Sequence, residues 1–266
     1  MSSSGKQGNI VGIHDVFGVK PMCEATQQVT KATIDGVSSF LSVVCKPGLE
    51  ELGFLIKDKV RSWRLNNILR MLDKAKGQMD FNGQELNLCA NARVGLSIME
   101  NSSEVDSDEL LALWAGLFVS SCTPDGRDDS NMNFVDLLRR MSSVEARIID
   151  YACKNCKKRL FPNKLILAND LTVTFSELAK ISGTEDIYRL DSELDHMRSI
   201  ELLSSGLLNS GGFYADNTEL DADITPSALA LNLYFKTHTT GVSPIEFWGN
   251  SLEQVQVPVG TEHKKN

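Results

Sequence analysis

The chain has 266 residues, of which 42% are hydrophobic and 23% charged, with a formal net charge of −8. That length and apolar content allow one large or two ordinary domains with a real core. The acidic balance argues against a general polyanion binder, because nucleic-acid affinity rests largely on phosphate neutralisation by Lys and Arg.

In chain order, residues 1–21 are rich in Ser and Gly, weakly patterned, and read as an arm that ends near Pro21. Residues 22–45 carry Val29, Ala32, Val37, Phe40, Leu41 and Val44 at helical spacing, and Pro47-Gly48 breaks the pattern. A long helix is predicted over 49–79. Its apolar stripe starts with Leu52, Ile56, Val60 and Trp63 and continues, shifted, through Ile68, Leu69, Leu72 and Ala75. Asn82-Gly83 punctuates its end, and 86–99 is predicted as the next helix. The acidic run 104–109 opens a further one, where carboxylates complement the helix dipole. Residues 110–119 are apolar all round, which predicts a helix central to the core, closed by Pro124-Asp125-Gly126. Two helices follow, 131–141 and 143–157, the second with Ser142 or Ser143 as N-cap and Glu145 favouring the same start.

The pattern changes after Lys164. Residues 165–167 read as a short strand. Residues 174–182 read as a helix with Thr174 and Glu177 as a capping box. A second helix is predicted over 187–204, with Leu190, Leu194, Met197 and Ile200 or Leu203 inward and Gly206 at its C′ position. Leu207-Leu208, Gly211-Gly212, Phe213-Tyr214 and an acidic tip suggest a two-stranded wing. Thr225-Pro226 then opens a last helix to about Lys236, with Pro at a first helical position.

The expected fold is mainly α. A helical bundle over 22–160 is followed by a winged-helix-like module with a small β-hairpin over 161–240, and 241–266 is a loose tail. No internal repeat is visible.

Candidate chemistry is sparse. The six cysteines, at 23, 45, 89, 122, 153 and 156, are dispersed among apolar stretches, which fits free thiols in a reducing compartment better than a disulfide scaffold. Cys153-x-x-Cys156 lacks the second pair that a zinc site requires, and it falls inside a predicted helix rather than after a strand. The histidines are 14, 196, 238 and 263. His196 lies near Ser192 and Asp195, but sequence proximity does not make a triad. No HExxH, phosphate-binding loop or dinucleotide fingerprint is present. No catalytic residue, metal or cofactor is assigned, and a non-enzymatic role is expected, with a nuclease-like enzyme built from scattered carboxylates as an alternative. Residues 1–20 lack a basic region followed by an apolar core. The ten-residue apolar run at 110–119 falls well short of the about 20 that a spanning helix needs. A cytoplasmic protein is expected.

The strongest charge signal lies at 57–70, where Lys57, Lys59, Arg61, Arg64 and Arg70 stand against Asp58, with Trp63 among them. A basic amphipathic helix of this kind binds anionic lipid or nucleic acid. The plainer reading is a solvated face paired with Glu104, Asp106, Asp108 and Glu109. The winged-helix-like module is the reverse. Its second helix carries Arg189 and Arg198 against Asp191, Glu193, Asp195 and Glu201, and the wing adds Asp216, Glu219, Asp221 and Asp223. Specific DNA recognition is disfavoured by this charge, although a DNA-binding regulator remains the second hypothesis. A packing or protein-interaction module is expected.

Three stretches carry a family resemblance: KPGLEELGFLIKDKVRSWRLNNILRMLDKAK at 46–76, DELLALWAGLFVSSCTPD at 108–125 and NFVDLLRRMSSVEARIIDY at 133–151. The segment ITPSALAL at 224–231 adds to them. Their order and spacing resemble the abortive-infection alpha (Abi-alpha) family of bacterial domains, over about residues 24–236. The matching positions include Glu51, Gly53, Asp58, Trp63 and Arg64, then Glu109, Trp114, Ala115 and Leu117, then Phe134, Leu138, Glu145 and Ala146. The family has no motif that is recognisably catalytic. The resemblance implies a role in bacterial defence against phage, in which an infected cell stops growing or dies before progeny are released. A phage or host protein is the expected target, with an anionic membrane surface as a further one, and an oligomer is compatible with the sequence.

Overall fold

Among the described residues helices dominate, and the strands are two or three residues long. The computed structural model describes residues 31–44, 62–81, 87–206, 208–209, 220–239 and 241–254. The expected arm, residues 22–30 and 49–61 of two predicted helices, the wing tip at 210–219 and the end of the tail lie outside the described residues. The chain divides into two compact units, Met1–Val135 and Asp136–Asn266.

In the first unit α1 (Lys31–Val44) packs on α2 (Ser62–Gln78), and α2 packs mainly on α4 (Asp108–Ser120). Every residue of the apolar run 110–119 is buried except half-buried Ala112, so α4 is the unit's central helix as its sequence predicts. Full burial of each such Leu, Phe or Val stabilises by about 1.5–3 kcal/mol. Phe40 of α1 sits 5.5 Å from Phe81 and 6.2 Å from Phe118, ring centre to ring centre. Ser107 caps α4 by accepting from the Leu110 amide, and Asp108 and Glu109 fill its first turn.

The helix expected at 86–99 is instead α3, Ala92–Ser102. The Asn91 side chain accepts from the Arg93 and Val94 amides, which sets the start six residues later than the apolar pattern implies. Just before it, β1 (Cys89–Ala90) pairs antiparallel with β2 (Cys122–Thr123), a ladder absent from the sequence reading.

α5 (Met132–Arg140) spans the division, and α6 (Ser143–Asn155) opens the second unit's main helical layer. Of the two candidate caps Ser142 is the one used, and it forms a capping box with Glu145. α6 ends one residue before Cys156, whose extended backbone (φ −65°, ψ 142°) takes it out of the helix in which the sequence reading placed it. β3 (Lys158–Leu160) then pairs antiparallel with β4 (Ile166–Ala168).

Next come β5 (Thr172–Thr174), α7 (Phe175–Ser182) and α8 (Ile187–Ser199). Thr174 and Glu177 form the second capping box, and Gly183 closes α7 at φ 73°, a left-handed position that suits glycine. α8 buries Leu190, Leu194 and Met197, but it stops at Ser199 rather than 204. Glu201 takes the left-handed turn there (φ 62°), so Gly206 is not its C′ residue. β6 (Leu208–Asn209) and β7 (Asp221–Asp223) complete an antiparallel sheet of order β5-β7-β6. The last predicted helix is α9 (Ala228–His238). Ser227 is its cap, so Pro226 precedes the helix instead of opening it.

Residues 241–254, expected as loose tail, form α10 (Pro244–Trp248), one 3-10 turn and β8 (Leu252–Gln254). Ser243 and Glu246 cap α10, and β8 pairs parallel with β3. No described helix is long and apolar enough to cross a membrane.

Candidate interaction site

The basic segment singled out in the sequence begins outside the described residues, which excludes Lys57, Lys59 and Arg61 from structural description. Trp63, Arg64 and Arg70 lie on α2, where one face meets the segment that leads into α4. The Trp63 indole, 46% exposed, donates to Asp106 Oδ1 at 2.8 Å. Arg64 donates from Nε to Ser103 Oγ at 2.9 Å and pairs with Glu104 at 3.1 Å. Arg70 and Lys74 both reach Asp108 Oδ1, at 3.0 and 3.2 Å. The Lys74 ammonium, with Arg70 behind it, holds the Asp108 carboxyl below the usual carboxylate range. These cations therefore have acidic partners within their own unit. Exposed pairs of this kind are worth about 0–1 kcal/mol each, so their main effect is to offset the basic field rather than to hold the fold.

The second unit carries a buried polar centre. Glu145 is fully buried, accepts from the Ser142 amide at 2.8 Å and lies 2.5 Å from Nδ1 of His196 on α8. Burial pushes its carboxyl above the usual range, against the Ser142 amide and His196. Ser142 Oγ also donates to Glu193 at 2.7 Å, so the two residues of the capping box tie the start of α6 to two positions on α8, Ser142 to Glu193 and Glu145 to His196. His196 is thus engaged by a carboxylate 51 residues away. Asp195, its sequence neighbour, pairs with Arg198 at 2.7 Å.

The CxxC pair is equally structural. Burial pushes both thiols up, Cys153 furthest. Cys153 Sγ donates to the Ala230 carbonyl at 3.8 Å. Lys158, 1% exposed, donates to the Cys156 carbonyl at 2.9 Å and sits 4.4 Å from the centre of the Trp248 ring. Among the described residues no group of three or more His, Cys, Asp or Glu side chains is placed to hold a metal ion.

The outer face of α8 is different, because its side chains point away from these networks. Asp186 caps the helix by accepting from the Tyr188 and Arg189 amides. Ile187 is 37% and Tyr188 86% exposed. Tyr188, Asp191, Ser192 and Asp195 recur at steps of three and four and are all exposed, so they form one stripe. Both arginines of α8 are engaged on the helix itself, Arg189 with Glu193 and Arg198 with Asp195. Beside the stripe's N-terminal end runs an open groove of about 630 Å³, between Phe175, Ala179 and Lys180 of α7 and the loop residues Gly183, Thr184 and Glu185. The loop continues directly into Asp186 and Tyr188. Sequence periodicity marks the inward positions of α8. It gives no sign that a tyrosine stands this far out.

One family, described as abortive infection alpha, matches residues 66–231, more than half of the chain. No curated protein and no solved structure matches it. The match takes in α3 to α8 entire, most of α2 and the first turn of α9, and so includes both the acidic segment facing α2 and the exposed face of α8. The chain belongs to the abortive infection alpha family.

Proposed function

We propose that this chain is a bacterial abortive-infection protein that acts in the cytoplasm by binding another protein, of phage or host origin, rather than by catalysis. Family membership supports the defence role. The observation that carries the binding mode is the face of α8, acidic and bearing a nearly fully exposed tyrosine. The order β5, α7, α8, β6, β7, α9, with the sheet order β5-β7-β6, supports a winged-helix-like reading of residues 172–238. In a DNA-binding winged helix α8 would be the helix that enters the major groove. Here Arg189 and Arg198 stand against Asp191, Glu193 and Asp195, a net charge of −1 with His196 neutral, the Asp186 cap adds a further carboxylate, and β7 adds Asp221 and Asp223. Phosphate would be repelled, and a protein partner suits the surface better.

A second reading places a binding face for an anionic partner at the start of α2, with Lys57, Lys59 and Arg61 ahead of Trp63. The half-exposed indole of Trp63 favours it.

The defence role is tested by growth of phage-challenged bacteria with and without the gene, at low and high ratios of phage to cells. The proposal expects culture survival at the low ratio and collapse or arrest at the high one. Identical curves across a broad phage panel, with expression confirmed, would remove it.

A further inference from the structure

We propose that the exposed stripe of α8, with the adjoining groove on α7, is the docking surface, and that its occupant is a cationic segment of a protein partner carrying an Arg or Lys that stacks on Tyr188. The inference rests on the protein-binding reading above and names the surface and the chemistry of its partner.

Single exposed apolar residues are common and carry no message alone. Tyr188 differs in what surrounds it. It stands 86% exposed at the second residue of α8, beside 37%-exposed Ile187. A tyrosine ring has few torsions to lose on binding, which makes it an effective contact residue. Exposed carboxylates flank it in sequence and along the stripe: Glu185, Asp186 and Asp191, with Asp195 further along and paired to Arg198. Arg189 and Arg198, the cations of the same helix, are already paired with Glu193 and Asp195. The face therefore offers an aromatic ring within a negative field. That combination attracts a guanidinium or ammonium twice, through the ring's quadrupole and through the carboxylates. The groove ends at Thr184 and Glu185, one to two residues before the Asp186 cap; exposed Lys180 also lines it, so the cation of the segment belongs at Tyr188 and only an apolar side chain of the same segment on the wall of Phe175 and Ala179. Duplex DNA and anionic lipid have the wrong charge for this face.

The test uses the full-length protein and a labelled twelve-residue peptide of alternating Arg and Leu, titrated by fluorescence anisotropy. An acidic Glu/Leu peptide, a DNA duplex and phosphatidylglycerol vesicles are run beside it. The basic peptide is expected to bind and the other three are not. Tyr188→Ala is expected to weaken binding about tenfold, in the range for loss of a central aromatic contact. Tyr188→Phe keeps the ring and should bind as wild type. Asp191→Lys should weaken binding and reduce its salt dependence. Asp73→Lys, an equal charge change at an exposed position of α2, should leave it unaltered. Unchanged affinity in both Tyr188→Ala and Asp191→Lys, with circular dichroism showing an intact fold, overturns the surface. Tighter binding of the duplex or the vesicles than of the basic peptide overturns the partner chemistry. The same variants are then assayed for phage protection. Protection by the wild type that persists in Tyr188→Ala leaves the defence reading standing and rejects this surface as its effector. Selective peptide binding without any protection rejects the defence reading alone.

Discussion

Replacing His196 by alanine tests how α6 is held to α8. Glu145 has no exposure and two polar partners described here, the Ser142 amide at 2.8 Å and His196 Nδ1 at 2.5 Å. His196→Ala leaves the buried carboxyl with the amide alone. A hydrogen bond to a charged group contributes about 1.5–3 kcal/mol, and leaving the buried partner behind raises the cost, so a loss of about 2–3 kcal/mol is expected. Glu145→Gln keeps an acceptor for the Ser142 amide and removes the charge, so it should cost only about 1 kcal/mol. The double variant should then be less destabilised than the two singles added, with a coupling energy of about 1–2 kcal/mol. The assay is urea unfolding read by pulsed hydrogen exchange of peptides from 143–155 and 187–199, which reports the second unit separately. With a slope of about 2 kcal/mol per molar urea, His196→Ala should move the midpoint down by about 1 M. A shift below about 0.2 M, with additive single variants, would refute the idea that this pair holds the two helices together.

Other expectations follow from the same physics. Trp248→Ala removes the ring over buried Lys158 and should destabilise by about 3 kcal/mol, with Lys158→Met in the same background restoring part of it, as read from urea midpoints. The raised Glu145 carboxyl binds its proton more tightly folded than unfolded. Its contribution to stability should therefore grow as pH falls from its folded pKa toward the ordinary glutamate value, and Glu145→Gln should flatten that part of the pH–stability curve. Asp150, held low first by His238 and then by Lys154, works in the opposite sense. Its contribution is present above the usual aspartate range and lost as pH falls through its folded value, so Asp150→Asn should blunt acid destabilisation. Cys153 and Cys156 should resist iodoacetamide in the native protein and react once urea is added, as followed by peptide mass spectrometry. Lys57→Glu with Lys59→Glu should abolish phage protection if the basic stretch preceding Trp63 in sequence is the binding face. Full protection by that pair would remove that face from consideration.

The legible parts of this sequence are those in which neighbours in sequence are neighbours in space. The apolar run at 110–119 predicts buried α4, Ser142 or Ser143 with Glu145 predicts the start of α6 to within a residue, and Thr174-x-x-Glu177 predicts the cap of α7. The missed elements are set by distant partners. Two residues of β1 have no periodicity and exist because Cys122 and Thr123 pair with them. β8 likewise depends on β3, more than 90 residues away. The same distinction divides the candidate site. The acidity of α8 is plain from composition, and so is the charge match between α2 and residues 104–108. The capture of His196 by Glu145 is not, and neither is the exposure of Tyr188, because both depend on which side of α8 the rest of the unit covers.

The most direct measurement of the central claim is a single-cycle infection, counting phage released per infected cell together with survival of the infected cells. Abortive infection by this chain predicts a sharp fall in progeny with no rescue of the infected cell; Tyr188→Ala should restore the progeny yield and Tyr188→Phe should keep it low. A normal yield of progeny in the presence of the wild-type protein, or infected cells that recover and divide, would contradict it.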